Sequence, residues 1–156
     1  MGISNFMGQR VKPKKGSDAA ITVADYMTQK LISFSPQQTL VETMETLVRN
    51  EITGGPVVNE NFELVGMISE SDFMKHLSNS KYYNIPLGSE TVEKYMTRIV
   101  ETIDSQLDIF DAAEKFAKSK YKRFPVMENG KLIGQISQHD VLLAALHLNS
   151  GNWNKK

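Results

Sequence analysis

Gly66-Met67-Ile68-Ser69-Glu70-Ser71-Asp72 returns 68 positions later as Gly134-Gln135-Ile136-Ser137-Gln138-His139-Asp140. Working outward, Pro56-Val57-Val58 returns as Pro125-Val126-Met127 and Tyr26-Met27-Thr28 as Tyr95-Met96-Thr97, both at a shift of 69. The one-residue difference falls in a turn, where Asn59-Glu60-Asn61-Phe62-Glu63 is one residue longer than Met127-Glu128-Asn129-Gly130. A period this long exceeds that of ordinary solenoid repeats. The two copies therefore read as a pseudo-symmetric pair of small α/β units burying apolar faces against each other, with function expected between them.

The hydrophobic periodicity agrees. Thr39-Leu40-Val41-Glu42 has the spelling of a capping box and opens an apolar series at Leu40, Met44, Leu47 and Val48, which predicts a helix of about three turns. Asp108 opens the corresponding helix, with Ile109, Ala112, Ala113, Phe116 and Ala117 on one face. Each helix is followed by a hairpin pattern, and Asn129-Gly130 has the tolerance of positive φ that a two-residue type I′ turn needs. Ser69 and Ser137 then precede further helices, patterned by Phe73, Met74 and Leu77 and by Val141, Leu142, Ala145 and Leu146, with Asp72 and Asp140 in their first turns. Short helices are expected at 23–27 and 92–96, capped by Thr22 and Thr91, with extended stretches at 31–34 and 100–103. The expected organisation is a basic leader at 1–20, a first copy at 21–77, a linker at 78–88, a second copy at 89–148 and a tail at 149–156.

Composition narrows the classes of function. A chain of 156 residues can bury a core without staples. It has no cysteine, which removes disulfides, thiolate metal sites and cysteine nucleophiles and suits a cytoplasmic protein. Eighteen acidic and eighteen basic residues leave no net field to draw in nucleic acid or an anionic membrane. No apolar run approaches the roughly 20 residues that span a bilayer. Met1-Gly2 opens like a myristoylation signal, but Phe6 stands where Ser or Thr is required. His76, His139 and His147 form no metal-binding or triad spacing, so neither a metal site nor catalysis is expected.

A short helix ending in Met-Thr, an extended segment, a capped helix, a Pro-Val strand and Gly-x-x-Ser-x-x-Asp opening a last helix occur twice in that order between residues 22 and 148. This set resembles the CBS domain in tandem. The resemblance implies an α/β (α+β) fold of two β-α-β-β-α units packed through their sheets, with two clefts between them. It further implies an adenosine-containing ligand in those clefts, AMP, ADP or ATP ahead of S-adenosylmethionine or NAD, with no covalent cofactor. A homodimer and a separate target protein are implied as partners.

Carried over residue by residue, the resemblance implies two composite clefts. The first joins Ile32, Ile52, Thr53 and Gly54 to Ser137, His139 and Asp140. The second joins Glu101, Tyr121, Lys122 and Arg123 to Ser69, Ser71 and Asp72, with Glu101 and Arg123 departing from the family pattern. Thr28 and Thr97 either line the clefts or end the short helices. A carboxylate at a helix start can accept both hydrogen bonds of a ribose diol, while amides and hydroxyls nearby favour phosphate. The simpler alternative is that each Asp and Ser only caps its helix, for about 1 kcal/mol apiece. Two functions remain in view: a ligand-sensing regulatory module, or a ligand-free interaction and dimerisation module with degenerate clefts.

Overall fold

A computed structural model describes residues 21–83 and 87–149. The leader and residues 150–156 of the tail lie outside them. The fold is mixed helix and sheet, and in chain order its elements are α1 (Val23–Tyr26), α2 (Leu40–Asn50), β1 (Gly54–Val58), β2 (Leu64–Ser69), α3 (Glu70–Tyr83), α4 (Val92–Tyr95), β3 (Ile103–Asp104), α5 (Ile109–Ala117), β4 (Arg123–Glu128), β5 (Lys131–Ser137) and α6 (Gln138–Leu148). The described residues form two compact units, unit 1 from residues 31–83 and 87–100 and unit 2 from residues 21–30 and 101–149. The short helix that opens each copy in sequence is thus built into the other copy's unit.

In unit 1, β1 and β2 pair antiparallel, with a register shift at Val57 and Val58. Phe34 flanks β1 through a parallel bridge to Val57, and Thr97 flanks β2 through an antiparallel bridge to Met67. In unit 2 the order is β3-β4-β5, with β3 parallel to β4, and Thr28 bridges to Gln135 on the outer side of β5. The two units therefore follow one plan. Asn129 and Gly130 have φ of 50° and 78°, as the type I′ reading of that turn requires.

Glycine makes the exchange of short helices possible. A Cβ on Gly66 would lie 2.7 Å from Met96 Sδ and 2.8 Å from the Thr97 carbonyl oxygen. On Gly134 it would lie 2.7 Å from the Thr28 carbonyl oxygen and 2.8 Å from Met27 Sδ. Only a residue without a side chain lets the Met-Thr backbone come this close to the strand. Met27 and Met96 then bury themselves in the cores, with Val23, Ile109, Phe124 and Ile136 in unit 2 and with Leu40, Val57, Ile68 and Val92 in unit 1.

Tertiary packing overrides several sequence readings. The α3 helix runs to Tyr83 through the first part of the expected linker, with no proline before Pro86 to stop it and the Ser80 hydroxyl donating to the His76 carbonyl at 2.9 Å. Val48, Met74, Leu142 and Leu146, read as core positions, are exposed. Thr22 and Thr91 do stand at the N-caps of α1 and α4, Thr22 in a capping box whose Asp25 carboxylate accepts from its amide and hydroxyl, whereas Thr91 makes no side-chain cap hydrogen bond.

Each short helix also presents a tyrosine to a histidine of the helix that follows its unit's hairpin, α3 in unit 1 and α6 in unit 2. Tyr26 Oη lies 2.7 Å from His147 Nδ1, and burial together with the neighbouring Asp25 carboxylate pushes the Tyr26 phenol above its ordinary range. Tyr95 meets His76 edge-on at 4.8 Å between ring centroids. His76 is fully buried and, among the described residues, neither ring nitrogen has a hydrogen-bond partner. An unsatisfied buried polar group costs about 1–3 kcal/mol.

Two predictions follow from this packing. Gly66→Ala and Gly134→Ala should each lower stability by about 1–3 kcal/mol, because backbone as well as side chain blocks the new methyl. Unchanged melting temperatures in both variants would sink the glycine account. His76→Phe keeps a ring against Tyr95 and removes the orphaned nitrogens, so its melting temperature should rise by roughly 2–4 °C for each kcal/mol recovered. A fall would mean that the imidazole serves the fold.

Candidate functional site

The start of the first hairpin strand and the end of the second meet at one edge of each unit, where a helix begins. In unit 1, Gly54 is paired with Ser69, and the Glu70 amide donates to the Thr53 carbonyl at 2.9 Å. A Cβ on Gly54 would lie 2.5 Å from the Ile68 carbonyl oxygen, so the approach of the two strands demands glycine there. The Ile32 carbonyl oxygen reaches the neighbouring Gly55, where a Cβ would lie 2.9 Å from it. Ile52 is buried and Thr53 exposed.

Asp72 is 8% exposed and its Oδ2 accepts from the Ser69 amide at 2.8 Å and the Ser69 hydroxyl at 3.2 Å. The Ser69 and Ser71 hydroxyls are 2.9 Å apart. This end of unit 1 thus gathers two hydroxyls, a carboxylate fixed in place by an amide, and a stretch of backbone bared by glycine. No cationic side chain stands at positions 52–54.

Unit 2 builds the same end with different side chains. Arg123 is paired with Ser137, and the Gln138 amide donates to the Lys122 carbonyl at 3.0 Å. Asp140 is 2% exposed; its Oδ2 accepts from the Ser137 amide at 2.8 Å, and its own amide donates to the Ser137 hydroxyl at 3.1 Å. Tyr121 is exposed with its ring 5.7 Å from that of Phe124, and Lys122, His139 and Glu101 are exposed as well. Two cations in place of Thr53 and Gly54 make this end attractive to phosphate.

The sequence reading divided these residues between composite clefts. The hydrogen bonds bring Thr53 and Gly54 beside Ser69 and Asp72 of the same unit, and Lys122 and Arg123 beside Ser137 and Asp140 of the same unit. Thr28 and Thr97 serve the sheets: backbone bonds join Thr28 to Gln135 at 2.8 and 2.9 Å and Thr97 to Met67 at 2.8 and 2.9 Å. Sequence reasoning missed Gln138, whose amide ties the helix start to Lys122 and whose side chain donates to the Tyr121 carbonyl. The signal was available in its counterpart Glu70, which holds the same place beside Thr53. Among the described residues no three His, Asp or Glu side chains gather as a metal site, and no helix is long and apolar enough to cross a membrane.

Comparison with known proteins gives these edges a context. A family model for the CBS domain matches residues 23–79 and again 92–147. CBSX1, a chloroplastic CBS domain-containing protein of Arabidopsis thaliana, is 32% identical over 93% of this chain and 71% of its own length. CBSX2 of the same plant is 31% identical over 81% of this chain, which spans 64% of that relative. The crystal structure of CBSX2 in complex with AMP superposes with a TM-score of 0.71 at 30% identity, covering 82% of this chain and 98% of that one.

Proposed function

Since the chain belongs to the CBS-domain family and carries the domain twice, we propose that it is a regulatory module which binds an adenosine-containing ligand, AMP first among them, and signals by a change in arrangement read by a separate target protein. The observation that carries this reading is the buried Asp72 carboxylate held at a glycine-opened sheet edge beside two serine hydroxyls. A ribose diol needs a fixed acceptor of that kind. The AMP complex of CBSX2, a relative of this fold, supports the choice of nucleotide.

In this assignment Ile32 and Ile52 wall the base, Gly54 admits its edge to the backbone, Asp72 accepts from the ribose hydroxyls, and the Ser71 hydroxyl turns to donate to phosphate while Ser69 keeps its proton on Asp72. The corresponding set in unit 2 is Tyr121 for stacking, Lys122 and Arg123 for phosphate, and Asp140 for ribose, with Ser137 and His139 at the helix start. There Glu101 replaces an apolar wall, so unit 2 is the weaker site for adenine. Asp72 and Asp140 also cap α3 and α6, so capping and ligand binding fall on the same carboxylate.

A second reading is favoured by the exposed Met74 and Leu77 on α3 and Leu142 and Leu146 on α6, which suit association with a second copy of the chain. Association and ligand binding are compatible. Only a chain deaf to every nucleotide would reduce to an interaction module.

Melting the protein with AMP, ADP, ATP, S-adenosylmethionine or NAD decides between them, since ligand at 100 times Kd adds about 2.7 kcal/mol. Asp72→Asn retains an acceptor for the Ser69 amide but not the carboxylate, so it should lose most of the AMP response and keep its unliganded melt; Asp72→Ala should also lose about 1 kcal/mol of intrinsic stability. A full AMP response in both Asp72→Asn and Asp140→Asn would overturn the ribose assignment. For the second reading, the double variant Leu142→Asp and Leu146→Asp should sediment as a monomer, and an unchanged mass would remove α6 from the contact.

A further inference from the structure

At the opposite end of its hairpin from Asp72, unit 1 carries a cleft of about 470 Å³ between the loop at 35–37, the β1–β2 turn and the segment running from α4 to Arg98. Its volume falls within the range of small-molecule sites, about 300–1,000 Å³. Val65 and Met96 are its less exposed walls, and Gln37, Asn61, Glu93 and Arg98 stand around it. The β1–β2 turn adds Asn59 and Glu60.

The internal repeat supplies a control for what packing alone requires here. Glu93 and Arg98 correspond, 69 positions earlier, to Ala24 and Gln29, which accompany the same short helix in unit 2. Docking that helix therefore needs neither charge. Where unit 1 has Asn59, unit 2 has Glu128, and its carboxylate accepts at 2.8 Å from the hydroxyl of Ser105, a buried residue at the position of Pro36. The bordering turn is the one place where the copies differ in length. It holds Phe62 at a φ of 60°, a strained conformation for an aromatic residue, with Asn59 Oδ1 accepting from the amides of Asn61 and Glu63 at 2.9 and 3.0 Å. Three departures from the repeat thus converge on one concavity.

The charges there are only loosely engaged with each other. Arg98 Nη2 lies 3.8 Å from Glu93 Oε1 and 3.2 Å from the Glu93 carbonyl oxygen, while Glu93 Oε2 accepts from Gln37 Nε2 at 3.4 Å. The two side chains are 62% and 47% exposed, so the pair contributes little to stability and either partner can turn to a ligand at small cost. A guanidinium suits a carboxylate, and a carboxylate suits an ammonium group. With Glu60 as second acid, the cleft carries two negative charges and one positive, which is the complement of a cationic amino acid.

We propose that this cleft is a second ligand site, separate from the nucleotide site, and that it binds a basic α-amino acid. Arg98 takes the α-carboxylate, Glu93 and Glu60 take the two cationic groups, and Val65 and Met96 cover the methylene chain. The inference does not rest on nucleotide binding and stands or falls apart from it.

Titration calorimetry at constant ionic strength with lysine, arginine, ornithine, leucine and glutamate tests it. The three basic amino acids should bind, with leucine and glutamate weaker by about tenfold or more. Arg98→Ala and Glu93→Gln should each weaken lysine binding by a similar factor without lowering the unliganded melt, since both side chains are exposed and loosely paired. Lysine binding should persist in Asp72→Asn and in the presence of saturating AMP, and the AMP response should persist in Arg98→Ala. The proposal fails if no basic amino acid binds at millimolar concentration, if leucine or glutamate binds as well as lysine, or if lysine binding survives both cleft substitutions. It fails equally if calcium binds there in a manner sensitive to Glu93→Gln and indifferent to Arg98→Ala.

Discussion

The fold depends on two close approaches of backbone to backbone, at Gly66 and at Gly134. Each hairpin leaves one strand with an unpaired edge, and an unpaired edge in a small sheet costs hydrogen bonds and invites association. The Met-Thr segment that opens the other copy satisfies that edge through reciprocal bonds with Met67 or with Gln135. The methionine side chain then closes the adjacent core. A methyl group at either glycine would meet the carbonyl oxygen of the incoming segment, so one missing side chain decides whether the exchange can occur.

That exchange explains which parts of the structure were legible in the sequence. Local features were: the Asn129-Gly130 turn, the serines preceding α3 and α6, the Thr39 cap whose hydroxyl accepts from the Glu42 amide, and the hairpins themselves. Each is determined by residues within a few positions of one another. The destination of α1 and α4 was not legible, because periodicity reveals an apolar face and not what will cover it. For the same reason Val48, Met74, Leu142 and Leu146 read as core and lie exposed, while His76, a polar residue on the same helix as Met74, is fully buried.

The candidate site was legible in its residue types, to which the hairpin of each copy adds a local grouping that spacing alone does not show. Ser-x-x-Asp announces a helix start, and a helix start needs an acceptor for its first amides whether or not a ligand exists. In both units one carboxylate oxygen, Oδ2, meets that need. Fixing one oxygen orients the other without a further loss of side-chain entropy on binding, which is the advantage of placing a ribose acceptor on a capping residue. The residues before Pro-Val are brought beside that carboxylate by the hairpin of their own copy.

A duplicated unit lets structural demand be separated from functional demand within a single chain. Whatever both copies share at equivalent positions, the glycine approach, the buried methionine and the serine-aspartate cap, is required by the architecture or by a chemistry common to both edges. Whatever only one copy has is free of that requirement. At the edge where the second hairpin strand runs into a helix the copies diverge from Thr53-Gly54 to Lys122-Arg123, which adds two cations to unit 2 while the aspartate stays buried in both. At the far end of the hairpin they diverge from Glu93 and Arg98 to Ala24 and Gln29, across an otherwise equivalent docking of a four-residue helix. Charges where packing is indifferent to them, beside a turn that holds an aromatic residue in a costly conformation, are what sets unit 1 apart from unit 2 at this end of the hairpin.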